Sequence, residues 1–329
     1  MKKNHAVISG IGRYLPEYVL TNKKLEELVE TNDEWIRSRT GISERRILKD
    51  PDKGTSYLAE KAALDALEDA NTDPSEIDVI VLATVTPDYF FPATAALVQK
   101  RIGADNAFGF DLSAACSGFL FALSTGASFI ESGRAKKVLV IGADKMSSIV
   151  DYTDRTTCIL FGDAGGAVVL ESSDEPGIID YVHHTEGDEA CMLYQPAGGS
   201  LNPATTETVE NKLHYLRQDG RAVFKKATEG MADVSLEIMK RNNLSASDVA
   251  WLVPHQANLR IIAATARRMG IDEEKVMINI QNYGNTTAAT IPLCLYDWKD
   301  KLKTGDNLVL AAFGGGLTWG ASYVKWTKK

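Results

Sequence analysis

The sequence predicts an α/β protein made of two similar halves, and two patterns support that prediction. Short apolar runs, of the length of buried strands, alternate with stretches that carry apolar residues at every third or fourth position, as amphipathic helices do. Alternation of strand and helix is typical of layered α/β folds. A long stretch of the first half is also echoed about 170 residues later, a spacing that suits a repeated domain rather than a solenoid.

The apolar runs look like buried parallel strands, and helical stretches such as "TAALVQKRIG" and "LRIIAATARRMG" lie between them. The N-terminal "SGIGRYLP" is interpreted as a strand that enters a turn. It lacks the third glycine of a dinucleotide-binding loop, and Pro16 prevents a prompt helix. The five main predicted strands are "VIVLATV" from Val79, "KVLVIGAD" from Lys137, "GGAVVL" from Gly165, "VAWLVP" from Val249 and "NLVLAAF" from Asn307.

The internal repeat divides the chain near "ESSDEPGIID" into predicted halves 1–172 and 173–329. In this overlay Cys116 falls beside Asn285, and each lies at a turn from a strand into an apolar helix. His255 follows the strand "VAWLVP", at the kind of strand end where ligand groups collect in α/β sheets. Two such halves packed face to face would bring the three residues together.

Composition limits the class of protein. The 329 residues carry a formal net charge of -8, which disfavours general nucleic-acid binding. No apolar run reaches the roughly 18 residues of a membrane span, and no signal peptide is evident. The four scattered cysteines contain no C-x-x-C pair, and no metal site is predicted. A reduced, cytosolic protein is therefore expected.

Cys116 is the candidate nucleophile, in "DLSAACSGF". A thiol in the first turn of a helix is exposed to the positive end of the helix dipole, which lowers its pKa. Its small neighbours leave room for an acyl chain. The alternative interpretation is a buried structural cysteine, which is the common role of an arbitrary cysteine.

A cysteine, a histidine and an asparagine together suggest chemistry on an acyl thioester, in one of two forms. In a protease, the asparagine orients the histidine, which acts as the base for the cysteine. In a decarboxylating condensing enzyme, a neutral histidine and an asparagine amide both donate to one thioester carbonyl and stabilise its enolate. An asparagine in the place symmetric with the cysteine fits the second form better.

The run "AAFGGGLTWG" provides a candidate oxyanion hole. Three successive glycines after a strand allow backbone N–H groups to face a cavity without obstruction by side chains. The alternative is an ordinary flexible turn.

Five ordered motifs resemble the β-ketoacyl-[acyl-carrier-protein] synthase III family, the initiating condensing enzymes of type II fatty-acid synthesis. They are "DLSAACSGF", "FGDAGGAVVL", "WLVPHQANLRII", "YGNTTAATIP" and "AFGGGLTWG". The resemblance implies the thiolase fold, with two similar halves stacked as five α-β-α-β-α layers, in a homodimer. It also implies ping-pong catalysis: Cys116 takes an acyl group from acyl-CoA, and malonyl-acyl-carrier protein then decarboxylates beside His255 and Asn285. Gly315 matches the oxyanion donor, and no metal or redox cofactor is required.

Substrate-binding positions follow from the same resemblance. For CoA, Trp35 would lie against one face of the adenine and Arg155 against the other, since a purine stacks on an indole and on a guanidinium. Phe91 would reach across the dimer to the partner's acyl pocket. The remaining matches are Thr31, Arg39 and Thr40 near the nucleotide, Phe224 and Asn258 in the pantetheine tunnel, and Lys225, Gln256, Arg260, Arg267 and Arg268 on the carrier-protein docking surface.

Several alternatives stay open at this point. A related enzyme could make polyketide or quinolone-like products from a special starter. A non-catalytic subunit of a condensing heterodimer usually lacks the nucleophile that is present here, and a cysteine hydrolase is a further candidate. Thiolases use a second cysteine where this chain has Asn285. The segment 197–220 is expected to form a flap at the tunnel mouth, and the choice of primer is left open.

Overall fold

A computed structural model describes residues 4–188 and 190–328. The strands are β1 His5–Tyr14, β2 Tyr18–Thr21, β3 Glu44–Ile47, β4 Val79–Ala83, β5 Phe108–Leu112, β6 Lys137–Asp144, β7 Ala164–Ser173, β8 Ile178–Thr185, β9 Leu193–Tyr194, β10 Arg217–Gln218, β11 Trp251–Pro254, β12 Asn307–Gly314 and β13 Thr318–Lys325. The helices are α1 Asn22–Leu25, α2 Asp33–Thr40, α3 Thr55–Asp69, α4 Thr94–Ile102, α5 Gly118–Glu131, α6 Thr206–Glu210, α7 Gly220–Arg241, α8 Leu259–Met269, α9 Ile280–Tyr283 and α10 Thr290–Trp298. In the described ranges, no helix combines the length and apolar character needed to cross a bilayer.

Two large sheets form the frame of the molecule. The first has the order β1-β7-β6-β4-β5 and the second the order β11-β12-β13-β8. A parallel bridge between Leu252 and Val276 extends the second sheet beyond β11. With that bridge, β11, β12, β13 and β8 occupy the places that β4, β6, β7 and β1 occupy in the first sheet, so the predicted duplication is visible in the strand order.

The prediction that every apolar run is a parallel strand is wrong for β7. It pairs antiparallel with β6 and with β1, whereas β4 pairs parallel with β5 and β6. A parallel strand needs a crossover, usually a helix, to return the chain to the same end of the sheet. Between β6 and β7 the chain has only a short 3-10 turn, Met146–Ser148, and loops. An apolar run indicates that a strand is buried on both faces of its sheet, but it does not indicate the direction of the strand.

The helices complete five layers. Helices α3 and α4 cover the outer face of the first sheet, and α7 and α8 cover the second. Helices α5 and α10 lie between the sheets, and α5 contacts strands of both. A side chain at Gly126 would come within 2.9 Å of Val140, so this position of α5 needs glycine to pack so closely on β6. The predicted α-β-α-β-α arrangement is confirmed.

Candidate active site

Two equivalent turns connect the sheets to the central helices. Cys116 lies in a 3-10 turn, Ala115–Ser117, that leads directly into α5, and the turn Thr287–Ala289 leads into α10. Each turn begins with a residue in the left-handed region, Ala115 at φ 46° and Thr287 at φ 51°. This conformation costs a residue with a Cβ about 1–2 kcal/mol, so its occurrence at both turns indicates a constraint that the fold imposes.

The overlay that placed Cys116 opposite Asn285 is therefore wrong by three residues. The equivalent turns place Cys116 opposite Ala288. The spacing of about 170 residues holds for β6 and β12 but becomes 172 at the turns, because the connections before them differ in length. Asn285 lies in the connecting segment just before the turn, which begins at Thr287.

Cys116 lies where two cavities meet. The first, of about 300 Å³, is lined mainly by apolar groups, among them Val85, Met146, Ile149 and Leu216. The second, of about 110 Å³, contains the other two candidate catalytic residues and has a partly apolar wall. Its lining includes Cys116, His255, Asn285, Phe224, Asn258, Ile261, Phe313 and Gly314. The thiol thus adjoins an apolar chamber on one side and a narrow channel on the other.

His255 is held immediately beyond β11. Its backbone N–H donates to Ala311 O at 2.7 Å, which continues the parallel pairing with β12 past the end of the strand. The ring is 1% exposed, with Nδ1 2.7 Å from Thr290 Oγ1. Nε2 is buried, and within the described ranges it has no hydrogen-bond partner. Unpaired buried polar atoms are rare, so this nitrogen is a candidate substrate contact.

Asn285 is fixed through both its backbone and its side chain. Its N–H donates to Leu160 O and its carbonyl accepts from Gly162 N–H, which forms a bridge to Phe161. The side-chain Oδ1 accepts from Thr287 N–H at 2.9 Å. Because the oxygen is occupied by a backbone donor, the amide NH₂ is the end left for the site.

A fully buried carboxylate, Asp144, lies behind these residues at the end of β6. It accepts from the Thr84 and Thr86 hydroxyls and from Val85 N–H in the first half. It also accepts from the Thr287 hydroxyl and, at 3.4 Å, from Ala288 N–H in the second half. Asp144 therefore ties the turn beside Asn285 to the first sheet. Asp144 was not among the residues predicted from the sequence, although an acid that closes an otherwise apolar strand is visible in "KVLVIGAD".

Burial dominates the electrostatics of the site. It raises the pKa of Cys116 to about 12, with a further contribution from the Asp144 charge, against weaker opposing hydrogen bonds that include Asn285. The expected lowering of the thiol pKa is thus wrong in direction, because loss of hydration outweighs the helix terminus. Burial lowers the pKa of His255 to about 3, so its imidazole is neutral near pH 7.

Gly314 ends β12 beside the nucleophile, and Gly315 and Gly316 follow it. A side chain on Gly314 would meet the Cys116 backbone nitrogen at 2.7 Å, and one on Gly315 would meet Leu193 O at 3.0 Å. Gly315 lines the apolar chamber together with Cys116. The absence of side chains therefore lets this segment approach the Cys116 turn closely.

Comparisons with known proteins identify the family. A model of 3-oxoacyl-[acyl-carrier-protein] synthase III matches residues 110–187, and a model of the C-terminal part of the same proteins matches 239–326. β-Ketoacyl-[acyl-carrier-protein] synthase III of Chlorobium phaeobacteroides is 59% identical over 326 residues, which cover 98% of this chain and 99% of the relative. The chain belongs to the 3-oxoacyl-[acyl-carrier-protein] synthase III family.

Solved structures agree with that assignment. The synthase III of Aquifex aeolicus VF5 has a TM-score of 0.90 and 46% identity, covering 98% of this chain and 100% of that one. A priming β-ketosynthase of the R1128 polyketide pathway has a TM-score of 0.92 but only 34% identity, covering 99% and 98%. The predicted thiolase-type fold is confirmed. The predicted function is also confirmed over the polyketide and non-catalytic alternatives: an acyltransferase that is the initiating condensing enzyme of fatty-acid synthesis.

Three residues predicted to bind CoA form a shallow surface hollow. Thr31, Trp35 and Arg155 line a space of about 170 Å³. The Arg155 guanidinium lies 5.4 Å from the Trp35 ring centroid and donates to Glu30 O. Thr31 Oγ1 is buried, and inside the described ranges it has no hydrogen-bond partner.

Two other predicted binding residues, Thr40 at the nucleotide site and Asn258 in the tunnel, form side-chain hydrogen bonds within the protein. Thr40 is 3% exposed, and its hydroxyl donates to Ile36 O and accepts from Ile42 N–H, so it closes α2 and is not open to a nucleotide. Asn258 lines the channel, but its amide accepts from Arg260 N–H and donates to Arg39 O. Arg39 is exposed, and Phe224 lines the channel.

Most of the basic residues predicted to form the docking surface are exposed. Lys225, Arg260 and Arg267 are exposed, and the Arg260 guanidinium lies 4.9 Å from the centroid of the Phe224 ring at the channel. Arg268 is also exposed but is ion-paired with Asp233.

Gln256 contradicts its predicted role in docking, since it is 1% exposed. Its amide donates to Pro254 O and Met277 O and accepts from Asn279 and Ile280 N–H. Sequence alone did not separate this buried bracing amide from a surface one. Phe91 is 86% exposed and, among the described residues, is not part of the lining of either cavity of its own chain.

The segment 197–220 includes α6 and β10. Its Leu216 lines the apolar chamber, and Leu216 N–H donates to Ile149 O on the chamber wall. β10 pairs with β9, whose Leu193 lines both cavities. The segment thus covers the chamber, a position consistent with the expected flap.

Proposed function

We propose that the chain transfers a short acyl group from acyl-CoA to Cys116 and condenses it with malonyl-acyl-carrier protein. The products are 3-oxoacyl-acyl-carrier protein, CoA and carbon dioxide. The observation that carries this proposal is the position of Cys116 at the junction of an apolar chamber and a channel shared with His255 and Asn285. The chamber suits the acyl chain, and the channel suits the arm that delivers each thioester.

In the first half-reaction the Cys116 sulfur attacks the thioester carbonyl of acyl-CoA. A new C–S bond forms, the bond to the CoA sulfur breaks, and the thiol proton leaves with CoA. Backbone N–H groups of Cys116 and Gly315 stabilise the negative oxygen of the tetrahedral intermediate. Because burial raises the pKa of Cys116, the proton must leave as the acyl donor enters and not beforehand.

In the second half-reaction the bond between the malonyl carboxylate and C2 breaks. Its electron pair forms the enolate, whose oxygen accepts hydrogen bonds from His255 Nε2 and from the Asn285 amide. C2 then attacks the acyl carbonyl, the C–S bond to Cys116 breaks, and the thiolate regains a proton. Cleavage of the carboxylate supplies the carbanion, so we expect the reaction to need no metal or redox cofactor.

Neutral donors suit this step better than charged ones. An imidazolium would hold the malonyl carboxylate as an ion pair and stabilise the ground state, whereas neutral donors act mainly on the charge that develops on the thioester oxygen. The lowered pKa of His255 and the orientation of the Asn285 amide support these roles.

Substrate delivery involves the surface around the channel. We propose that Thr31, Trp35, Arg39 and Arg155 bind the CoA nucleotide. Exposed Lys225, Arg260 and Arg267 would attract the acidic carrier protein, against the formal charge of -8 of the whole chain. We also expect a cytoplasmic homodimer in which Phe91 contacts the partner's acyl chamber, and we keep halves 1–172 and 173–329 as the proposed units of duplication.

The test separates the two half-reactions. The protein is incubated with acetyl-CoA labelled in its acyl group, and labelled Cys116 is located by mass spectrometry; Cys116→Ser should abolish the label. Release of carbon dioxide from carboxyl-labelled malonyl-carrier protein is then measured for His255→Ala, which should still be acylated but should lose decarboxylation. Loss of acylation with normal decarboxylation would contradict the assigned roles. A panel of acetyl, isobutyryl and longer acyl-CoA esters determines the primer.

A further inference from the structure

Thr290 has no part in the chemistry above, yet its hydroxyl makes a close polar contact with the histidine ring. Its Oγ1 lies 2.7 Å from His255 Nδ1, and each of the two residues is 1% exposed. The opposite nitrogen, Nε2, is buried without a hydrogen-bond partner among the described residues, and His255 lines the channel. One nitrogen is therefore held by the protein and the other is left for a substrate.

The partner of Nδ1 decides what Nε2 can do. A neutral imidazole has a single N–H, so a proton on Nδ1 leaves Nε2 as an acceptor that cannot donate to a thioester oxygen. If Nδ1 instead accepts from a hydroxyl, the proton is on Nε2 and the ring is a donor. Burial lowers the pKa of His255 to about 3, so the doubly protonated form does not compete near pH 7.

The Thr290 hydroxyl has two acceptors within reach, His255 Nδ1 at 2.7 Å and Thr287 O at 3.1 Å. Thr287 O already accepts the backbone N–H of Thr290. This carbonyl therefore stays satisfied when the hydroxyl turns to the ring, whereas the hydroxyl is the one hydrogen-bond partner of Nδ1 among the described residues.

We propose that Thr290 donates its hydroxyl proton to His255 Nδ1 and so holds the ring in the Nε2–H tautomer that donates to the thioester oxygen during decarboxylation. Thr290 is a positioning residue, because it acts through His255 and touches no substrate. The inference rests on the proposed function, since it assumes that His255 is a donor in the second half-reaction.

The same short segment then orients both donors. Thr287 N–H holds the Asn285 oxygen and turns the amide NH₂ to the site, and the Thr290 hydroxyl does the corresponding work for the imidazole. Thr287 opens the turn that leads into α10, and Thr290 is the first residue of that helix. One turn of the second half thus sets the hydrogen-bonding polarity of both groups that face the enolate.

The test compares Thr290→Val, which removes the hydroxyl at nearly constant volume, with Thr290→Ser, which keeps it. The valine variant should lose decarboxylation of malonyl-carrier protein by about 10- to 100-fold, the range found when a partner that orients a metal-ligating histidine is removed. The serine variant should recover most of the rate. Both should still accept an acyl group on Cys116. The matched control is Thr265→Val, a fully buried helical threonine on α8 that donates to Ile261 O, and its rate should be unchanged.

A spectroscopic readout separates orientation from a merely structural effect. In ¹⁵N-histidine-labelled enzyme, the His255 ring shifts should report a proton on Nε2 in the wild type and a shift toward the Nδ1–H form in Thr290→Val. A wild-type ring protonated on Nδ1, or full decarboxylation by the valine variant, overturns this inference. If His255→Ala itself retains decarboxylation, the proposed function fails instead, whatever the threonine variants do.

Discussion

The turns that lead into α5 and α10 share one backbone conformation but present different chemical groups to the site. Both are 3-10 turns opened by a residue in the left-handed region, and within the described ranges neither has a side-chain N-cap. The first presents a thiol to both cavities. The second has Ala288 in the equivalent place, and its useful groups lie just before and just after it, at Asn285 and Thr290.

This difference shows that the duplicated fold fixes a location more firmly than it fixes a function. The sharp turn brings the backbone to the floor of the site in both halves, but only the first turn presents its central side chain to the cavities. In the proposed function, the first half supplies the nucleophile and the second half supplies the pair of neutral donors. Substitutions in and around the two turns test this difference between the halves.

The largest effect is expected from moving the thiol to the second turn. Cys116→Ala combined with Ala288→Cys should show no acyl transfer above about 0.1% of the wild-type rate, because loss of a covalent nucleophile typically costs at least about 1000-fold. Ala288 is 1% exposed and packs toward Gly118 and Gly142, so a thiol there faces the core. Label transferred to residue 288 from acyl-CoA would show that the two turns are functionally interchangeable.

Removal of a donor from the second turn should affect only one half-reaction. Asn285→Ala is expected to lower decarboxylation by about 100- to 1000-fold, in the range found when one donor to a developing oxyanion is deleted. Acylation of Cys116 should remain within a few fold, measured by the transfer of labelled acyl groups. Equal loss in both half-reactions would mean that Asn285 holds the Cys116 turn rather than the substrate.

A third prediction concerns the protonation of the thiol. With a pKa of about 12, Cys116 is a neutral thiol in the resting enzyme at pH 7, and only its thiolate reacts with iodoacetamide. The alkylation rate should therefore rise about tenfold for each pH unit between pH 7 and 10. Exposed Cys191, followed in the same digest, is the internal reference. A rate for Cys116 that is flat above pH 7 would restore the sequence-based expectation of a lowered pKa.

The smallest effects concern the strained residues themselves, and they should have opposite signs. Ala115→Gly should raise the free energy of unfolding by about 0.5–1 kcal/mol, because glycine relieves the left-handed strain at some entropic cost. Thr287→Gly should lower it by about 1–3 kcal/mol, because buried Asp144 loses a hydroxyl donor. Urea denaturation of both variants measures the contrast, and stabilisation by both changes would mean that relief of strain outweighs the loss of the Thr287 hydroxyl bond to Asp144.

Much of this arrangement was predictable because it depends on order along the chain. Strand, turn and helix recur in the same sequence in both halves, so the meeting of Cys116, His255 and Asn285 follows from strand ends that face each other. The direction of β7 and the three-residue error at Asn285 were not predictable, since they depend on how connecting segments of different length cross the sheet edge.

The burial of individual polar side chains also could not be predicted from the sequence. Thr40 and Gln256 have polar side chains that sequence patterns assign to a surface, yet both are enclosed and hydrogen-bonded within the fold. The prediction of a lowered pKa for the Cys116 thiol was wrong for the same reason, because a motif indicates the start of a helix but not how deeply the sulfur is buried. Thr290 lies within the motif "YGNTTAATIP", but the motif did not indicate its role, because that role depends on a contact with His255, 35 residues away in the chain.

The spacing between Trp35 and Arg155 has a consequence for turnover. A purine held between two flat groups needs about 7 Å from one plane to the other, and the guanidinium already lies 5.4 Å from the indole ring. In the proposed function, an adenine entering between Trp35 and Arg155 would displace this attraction, and its net binding free energy would be the difference between two contacts. When CoA departs, the arginine would return to the tryptophan, so this attraction would assist release of the first product before the second partner docks.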